Sequence, residues 1–115
     1  MKQRRIIVPK DKSAEDLLEY DQAEQQRLLE FKLNDEDFLL LYESGLFSLI
    51  NDLAEVNIDD YEDDRIKDIE ALKKVHEMLE SKISIQNQVN ESLLKEISKL
   101  FEEALRRNTG VYFYF

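Results

Sequence analysis

The sequence predicts a mainly α-helical domain: an antiparallel bundle of four to five helices, with a two-stranded ribbon formed by the N- and C-terminal segments. Three observations carry that expectation. The 115 residues include 2 glycines and 1 proline, too little punctuation for a many-turned sheet. Apolar residues recur at three- and four-residue spacing over most of the chain, the period of a helix face. The polar gaps between these runs are short, which makes neighbouring helices antiparallel.

Arg4 to Pro9 is rich in β-branched residues and ends in proline, so it reads as a short strand or extended arm; residues 1–12 as a whole form a basic arm. Ser13 with Asp16 has the form of a capping box, which starts a helix near Ala14. One helix with a weakly buried middle then carries Leu17, Leu18, Leu28, Leu29 and Phe31. Asn34 or Asp35 caps the next helix, and Glu36 and Asp37 stand where its dipole favours acids. Phe38, Leu39, Leu41, Tyr42, Leu46, Leu49, Ile50 and Leu53 form its stripe. Gly45 marks a break at Ser44–Gly45, although the stripe continues in phase through it.

Asn57 to Asp60 is the next boundary. A long helix follows from about Asp60 to Ile83, carrying Ile66, Ile69, Leu72, Val75 and Leu79 on one face. A turn falls in 84–90. The last helix, from about Glu91, ends at Arg106 and Arg107, and Asn108, Thr109 and Gly110 stop it. In residues 111–115, alternation puts Val111, Phe113 and Phe115 on one face and Tyr112 and Tyr114 on the other. The whole chain, 1–115, reads as a single domain.

Charge is the most informative quantity. The net charge is −10, distributed as +4 over residues 1–10, −15 over 11–70 and +1 over 71–115. A field of this sign repels nucleic-acid phosphates and anionic lipid, and it speeds association with cationic surfaces. Residues 52–70 hold nine acids against two bases. Two or three acids serve a helix start, so the excess points to an anionic contact surface. Its candidate residues are Asp59, Asp60, Glu62, Asp63, Asp64 and Asp68, with Tyr61 as an aromatic anchor.

Catalytic and metal chemistry are not indicated. There is no cysteine, and two glycines cannot build a phosphate-binding loop. An EF-hand loop opening at Asp59 would have Tyr61 at its third position and Asp64 where glycine is needed, although Glu70 fits the twelfth. His76 is the lone histidine, and Lys73 stands where a di-iron bundle requires glutamate. No apolar run is long enough to span a membrane, and the opening residues lack the form of a signal peptide. The expectation is a cytoplasmic protein that is not an enzyme and carries no cofactor.

The small acidic helical character, with the closing run from Arg107 through Asn108, Thr109, Gly110 and Val111 to Tyr112, Phe113, Tyr114 and Phe115, resembles bacterial immunity proteins of toxin–immunity systems such as contact-dependent growth inhibition. The resemblance implies a partner: a toxin domain, often a cationic nuclease. The expected function is therefore an acidic inhibitor that occludes the active cleft of a cognate toxin or other cationic protein, without binding nucleic acid or membrane itself. Two other readings remain: a phage-type inhibitor or nucleic-acid mimic of the anti-CRISPR kind, and a helical assembly module that self-associates.

Overall fold

A computed structural model describes residues 3–85 and 90–115. Its elements run β1 (Arg4–Pro9), α1 (Lys12–Glu19), a 3-10 turn (Gln25–Arg27), β2 (Leu28–Leu33), α2 (Asp35–Glu43), α3 (Leu46–Ala54), β3 (Asp64–Ile66), α4 (Ile69–Ile83), α5 (Glu91–Arg107) and β4 (Val111–Tyr114). The strands form one antiparallel sheet in the order β2-β1-β4-β3. The expected mainly α bundle is therefore corrected to a mixed fold, a four-stranded sheet with five helices among the described residues. The terminal segments do pair, Ile6 opposite Phe113, but inside that sheet and not as an isolated ribbon.

Segment 28–33 accounts for most of the difference. Its sequence alternates, so Leu29, Phe31 and Leu33 face the main core while Leu28 and Glu30 face the other side. The expected helix through residue 31 ends instead at Glu19, and Asp21 turns the chain at φ 55°. The cap of α1 also differs. Asp11, not Ser13, accepts from Ala14 N at 2.8 Å, and the helix starts two residues early.

The remaining boundaries follow local signals. The Asn34 side chain caps α2 through Asp37 N at 2.7 Å. Gly45 takes φ 82°, separating α2 from α3. Asp68 caps α4 through Ala71 N at 2.9 Å, so that helix begins well after Asp60. Asn108 ends α5 in the left-handed region at φ 57°. Gly110 has a different role from the stop expected of it. A β-carbon there would lie 2.7 Å from the Ile66 carbonyl oxygen, so glycine lets β4 pass close to β3. Of the turn expected over 84–90, residues 86–89 lie outside the described residues.

The core lies on one face of the sheet, where α2 to α5 bring Leu41, Ile50, Val75, Leu79, Ile97 and Phe101 against Ile6, Val111, Phe113 and Phe115. A smaller cluster of Ile7, Leu18 and Tyr112 lies on the other face, under α1. The alternation read in residues 111–115 holds: Val111, Phe113 and Phe115 pack into the larger core, Tyr112 and Tyr114 into the smaller cluster. Buried Glu15 pins α1 to the sheet, accepting from Gly110 N at 2.8 Å and from Lys12 Nζ at 3.1 Å. No helix of the described residues is long and apolar enough to cross a membrane.

Candidate functional site

The acidic segment is neither a helix nor a loose cluster. After α3, Glu55 turns the chain at φ 55° and the segment runs back along the helix. Asn51 fixes its path, donating to the Ile58 carbonyl at 2.9 Å and accepting from Ile58 N at 2.7 Å. Asp59 and Glu62 then form a tight antiparallel bridge, with Glu62 N donating to Asp59 O at 3.0 Å. Tyr61 sits at the tip with φ 64°, sparsely populated for a bulky residue, and its side chain is 77% exposed. Its backbone N–H donates to the Phe115 carbonyl at 3.0 Å, which fixes the tip against the end of β4.

Most of the acids singled out in the sequence have structural work. Asp60 accepts from Arg4, at 2.9 Å from one terminal guanidinium nitrogen and 3.3 Å from Nε. Asp63 accepts from Phe115 N at 3.0 Å. Asp64 accepts from Asn57 N at 2.7 Å and Arg65 N at 2.8 Å and opens β3, one of the two edge strands. Asp68 caps α4. Asp59 accepts from Asp60 N at 2.7 Å and from the Tyr42 hydroxyl. Glu62 and Tyr61 project to solvent.

Arg4, Tyr42 and Asn51 were not among the sequence candidates, and they organise the surface. Arg4 is 7% exposed, and its second terminal nitrogen donates to Asp35 at 2.6 Å. Its guanidinium carbon lies 4.0 Å over the Phe38 ring. One buried cation thus joins the acids that open α2 to those of the loop, which are 25 residues apart in sequence (Asp35 and Asp60). Burial opposes the charge on Arg4, but hydrogen bonds to Asp60 and Asp35 more than offset this and raise its pKa above the usual value. Phe38 in turn packs on Tyr42, Phe47 and Phe115 at centroid distances of 5.7, 5.5 and 5.1 Å.

Tyr42 belongs to the apolar stripe in the sequence, yet it is 46% exposed, and Leu39 beside it is 53% exposed. The negative charge of Asp59 and the hydrogen bond to it raise the Tyr42 pKa, holding the phenol protonated. A cleft of about 320 Å³ opens between Tyr42 and Asp59, floored by Phe47 and Ile58 and edged by Ser48 and Asn57. The surface thus presents carboxylates from two segments, two exposed tyrosines and a small polar cleft.

Among the described residues no group of three or more His, Asp or Glu side chains is placed to hold a metal ion. His76 is half-buried in α4, with Nε2 3.5 Å from a Glu80 oxygen. No protein-family model, curated protein or solved structure matches the chain.

Proposed function

We propose that this chain is an acidic protein-binding inhibitor, not an enzyme, which neutralises a cationic, nuclease-type toxin domain by covering its active cleft in the manner of a cytoplasmic immunity protein. The observation that supports this reading is the joining of two acidic segments by Arg4 next to exposed Tyr42 and Tyr61. Carboxylates held in fixed positions steer a basic partner and set register, while tyrosines supply contact area at small entropic cost. The net charge of −10 extends the same attraction to longer range. A nucleic-acid mimic would use the same face, and the partner's identity separates the two.

The test uses residues that do not hold the loop together. Asp60, Asp63 and Asp64 are unsuitable because each anchors backbone or Arg4. Glu36 and Glu62 are exposed on the two joined segments. Tagged wild-type protein and the Glu36→Lys/Glu62→Lys variant are passed through nuclease-treated lysate of the source cell at low and high salt. Retained proteins are identified by mass spectrometry and assayed for nuclease activity with and without the chain. The expected result is one stoichiometric basic protein, bound at low salt, inhibited by the wild type and bound more weakly by the variant. Equal binding and inhibition by the variant would remove the acidic face from the mechanism. Retention of the chain alone would remove the inhibitor reading.

A further inference from the structure

β2 is an edge strand, and its charge pattern is its own complement. Among the described residues, the order β2-β1-β4-β3 leaves one side of Leu28–Leu33 without a neighbouring strand. Lys10 N donates to Arg27 O at 3.0 Å, so position 27 is hydrogen-bonded to β1. By alternation 29, 31 and 33 also bond inward, and the backbone N–H and C=O groups of Leu28, Glu30 and Lys32 point outward. The order Leu29-Glu30-Phe31-Lys32-Leu33 is symmetric in polarity and antisymmetric in charge about Phe31. If two such edges pair antiparallel around a two-fold axis at Phe31, Glu30 of each copy faces Lys32 of the other. Leu29 then faces Leu33, and outward-pointing backbone groups meet outward-pointing backbone groups.

The helix beside this edge has the same symmetry. A groove of about 410 Å³ runs between β2 and α5, with half-buried Leu29 and Phe31 at its base and Lys99, Glu103 and Arg106 along its wall. Along that wall the charges read Glu96, Lys99, Glu103, Arg106 and Arg107, the last held within its own copy by Glu103 and the Lys10 carbonyl. An antiparallel second copy centred at position 101 sets Glu96 opposite Arg106 and Lys99 opposite Glu103. Position 101 lies close to the row that holds Phe31: Phe31, Ile6 and Phe113 are in register across the sheet, and the Phe101 ring lies 6.3 Å from that of Phe113. One axis therefore sets opposite charges against each other on both strand and helix, with Glu103 keeping Arg106 and Arg107 of its own copy at 2.7 and 2.8 Å.

We infer that the β2 edge is an interface with a second copy of this chain, joining two four-stranded sheets into one and closing the groove beside α5. Glu30 now takes Arg5 at 3.1 Å and its own Lys32 at a longer 3.7 Å, so it keeps the better partner when it exchanges the weaker one for Lys32 of the second copy. The pairing is isologous and closes after two copies, because each edge is used once. It uses none of the residues proposed to meet a toxin.

Sedimentation equilibrium over a concentration series tests it, with thermal melts confirming that each variant is folded. Wild-type protein is expected to dimerise. Lys32→Glu places Glu against Glu twice across the axis and is expected to weaken the dimer about tenfold or more. Glu30→Lys, with Lys against Lys, is expected to do the same. Mixing the two variants restores opposite charges at both positions, so the mixture is expected to form a heterodimer that neither forms alone. Wild-type protein that stays monomeric to about 200 µM overturns the inference and leaves the edge to a strand of another protein. A dimer unaffected by Lys32→Glu overturns it by placing the contact elsewhere.

Discussion

The Tyr112 hydroxyl donates to a Glu19 carboxylate oxygen across 2.6 Å, tying β4 to the last turn of α1 on the less covered face of the sheet. The same oxygen accepts from Lys67 Nζ at 3.0 Å, and Arg65 Nε stands 3.7 Å away. The Tyr112 hydrogen bond, then that of Lys67, holds the Glu19 carboxyl below its ordinary value of 4.5. Burial, followed by the bond to Glu19, pushes Tyr112 far above the usual tyrosine range, so the donor stays protonated.

A direction for acid stability follows. A carboxyl whose folded pKa is depressed stabilises the fold above its unfolded pKa, and that contribution disappears as pH falls through the folded value. Asp11, through the α1 cap, and Glu103, through Arg106 and Arg107, are held low as well. The melting temperature is therefore expected to fall below about pH 5. Glu19→Gln should flatten that decline, and calorimetry from pH 7 to pH 3 measures it. A Gln variant with the wild-type pH slope would show that Glu19 has no share in it.

Arg4 is the second case. Arg4→Met removes two ion pairs and the contact over Phe38, with an expected cost of about 1–2 kcal/mol. Arg4→Lys keeps the charge but loses the planar fork that reaches Asp35 and Asp60 together, so it should recover only part of the loss. Urea unfolding gives both numbers. Equal midpoints for Arg4→Met and wild type would mean that the two acidic segments hold together without the clasp.

The two glycines should fail for different reasons. Gly110→Ala forces a β-carbon against backbone at the Ile66 carbonyl, with an expected cost of about 1–3 kcal/mol. At Gly45 there is open space and the obstacle is φ 82°, so Gly45→Ala should cost about 1 kcal/mol. Gly45→Asn, which tolerates that region better, should recover part of it; Gly110→Asn should be worse than Gly110→Ala. The reverse ranking in thermal melts would contradict the assigned roles.

What could be read from the sequence was what local chemistry decides. The Asn34 cap, the break at Gly45, the basic end of α5 and the alternation of residues 111–115 each depend on neighbours within a few positions. Segment 28–33 reads as helix because Leu28, Leu29 and Phe31 suit a helical period as well as a strand; the alternation through Leu33 decides for the strand. The three residues of β3 carry no strand signal of their own and owe their conformation to pairing with β4. The same holds at the candidate site. Asp60 looked like any acid in a run of acids, because the residue that defines its role, Arg4, lies 56 positions away.

The central position of β1 and β4 has a consequence for how the chain reaches this fold. Ile6 pairs with Phe113, and Thr109 Oγ1 donates to Pro9 O over a separation of 100 residues. These contacts close loops that span nearly the whole chain, and β3 pairs with β4 alone among the described strands, so it has no partner until β4 arrives. Loop-closure entropy is spent before such contacts reward it, which slows folding. The hairpin of α4 and α5 and the β1–β2 pair close shorter loops and form without β4, whereas β3 joins the sheet only after β4 has docked. Until residues 111–114 dock, the side of β1 that faces β4 is an open edge flanked by Ile6 and Ile7, and in that interval the chain is exposed to pairing with another copy.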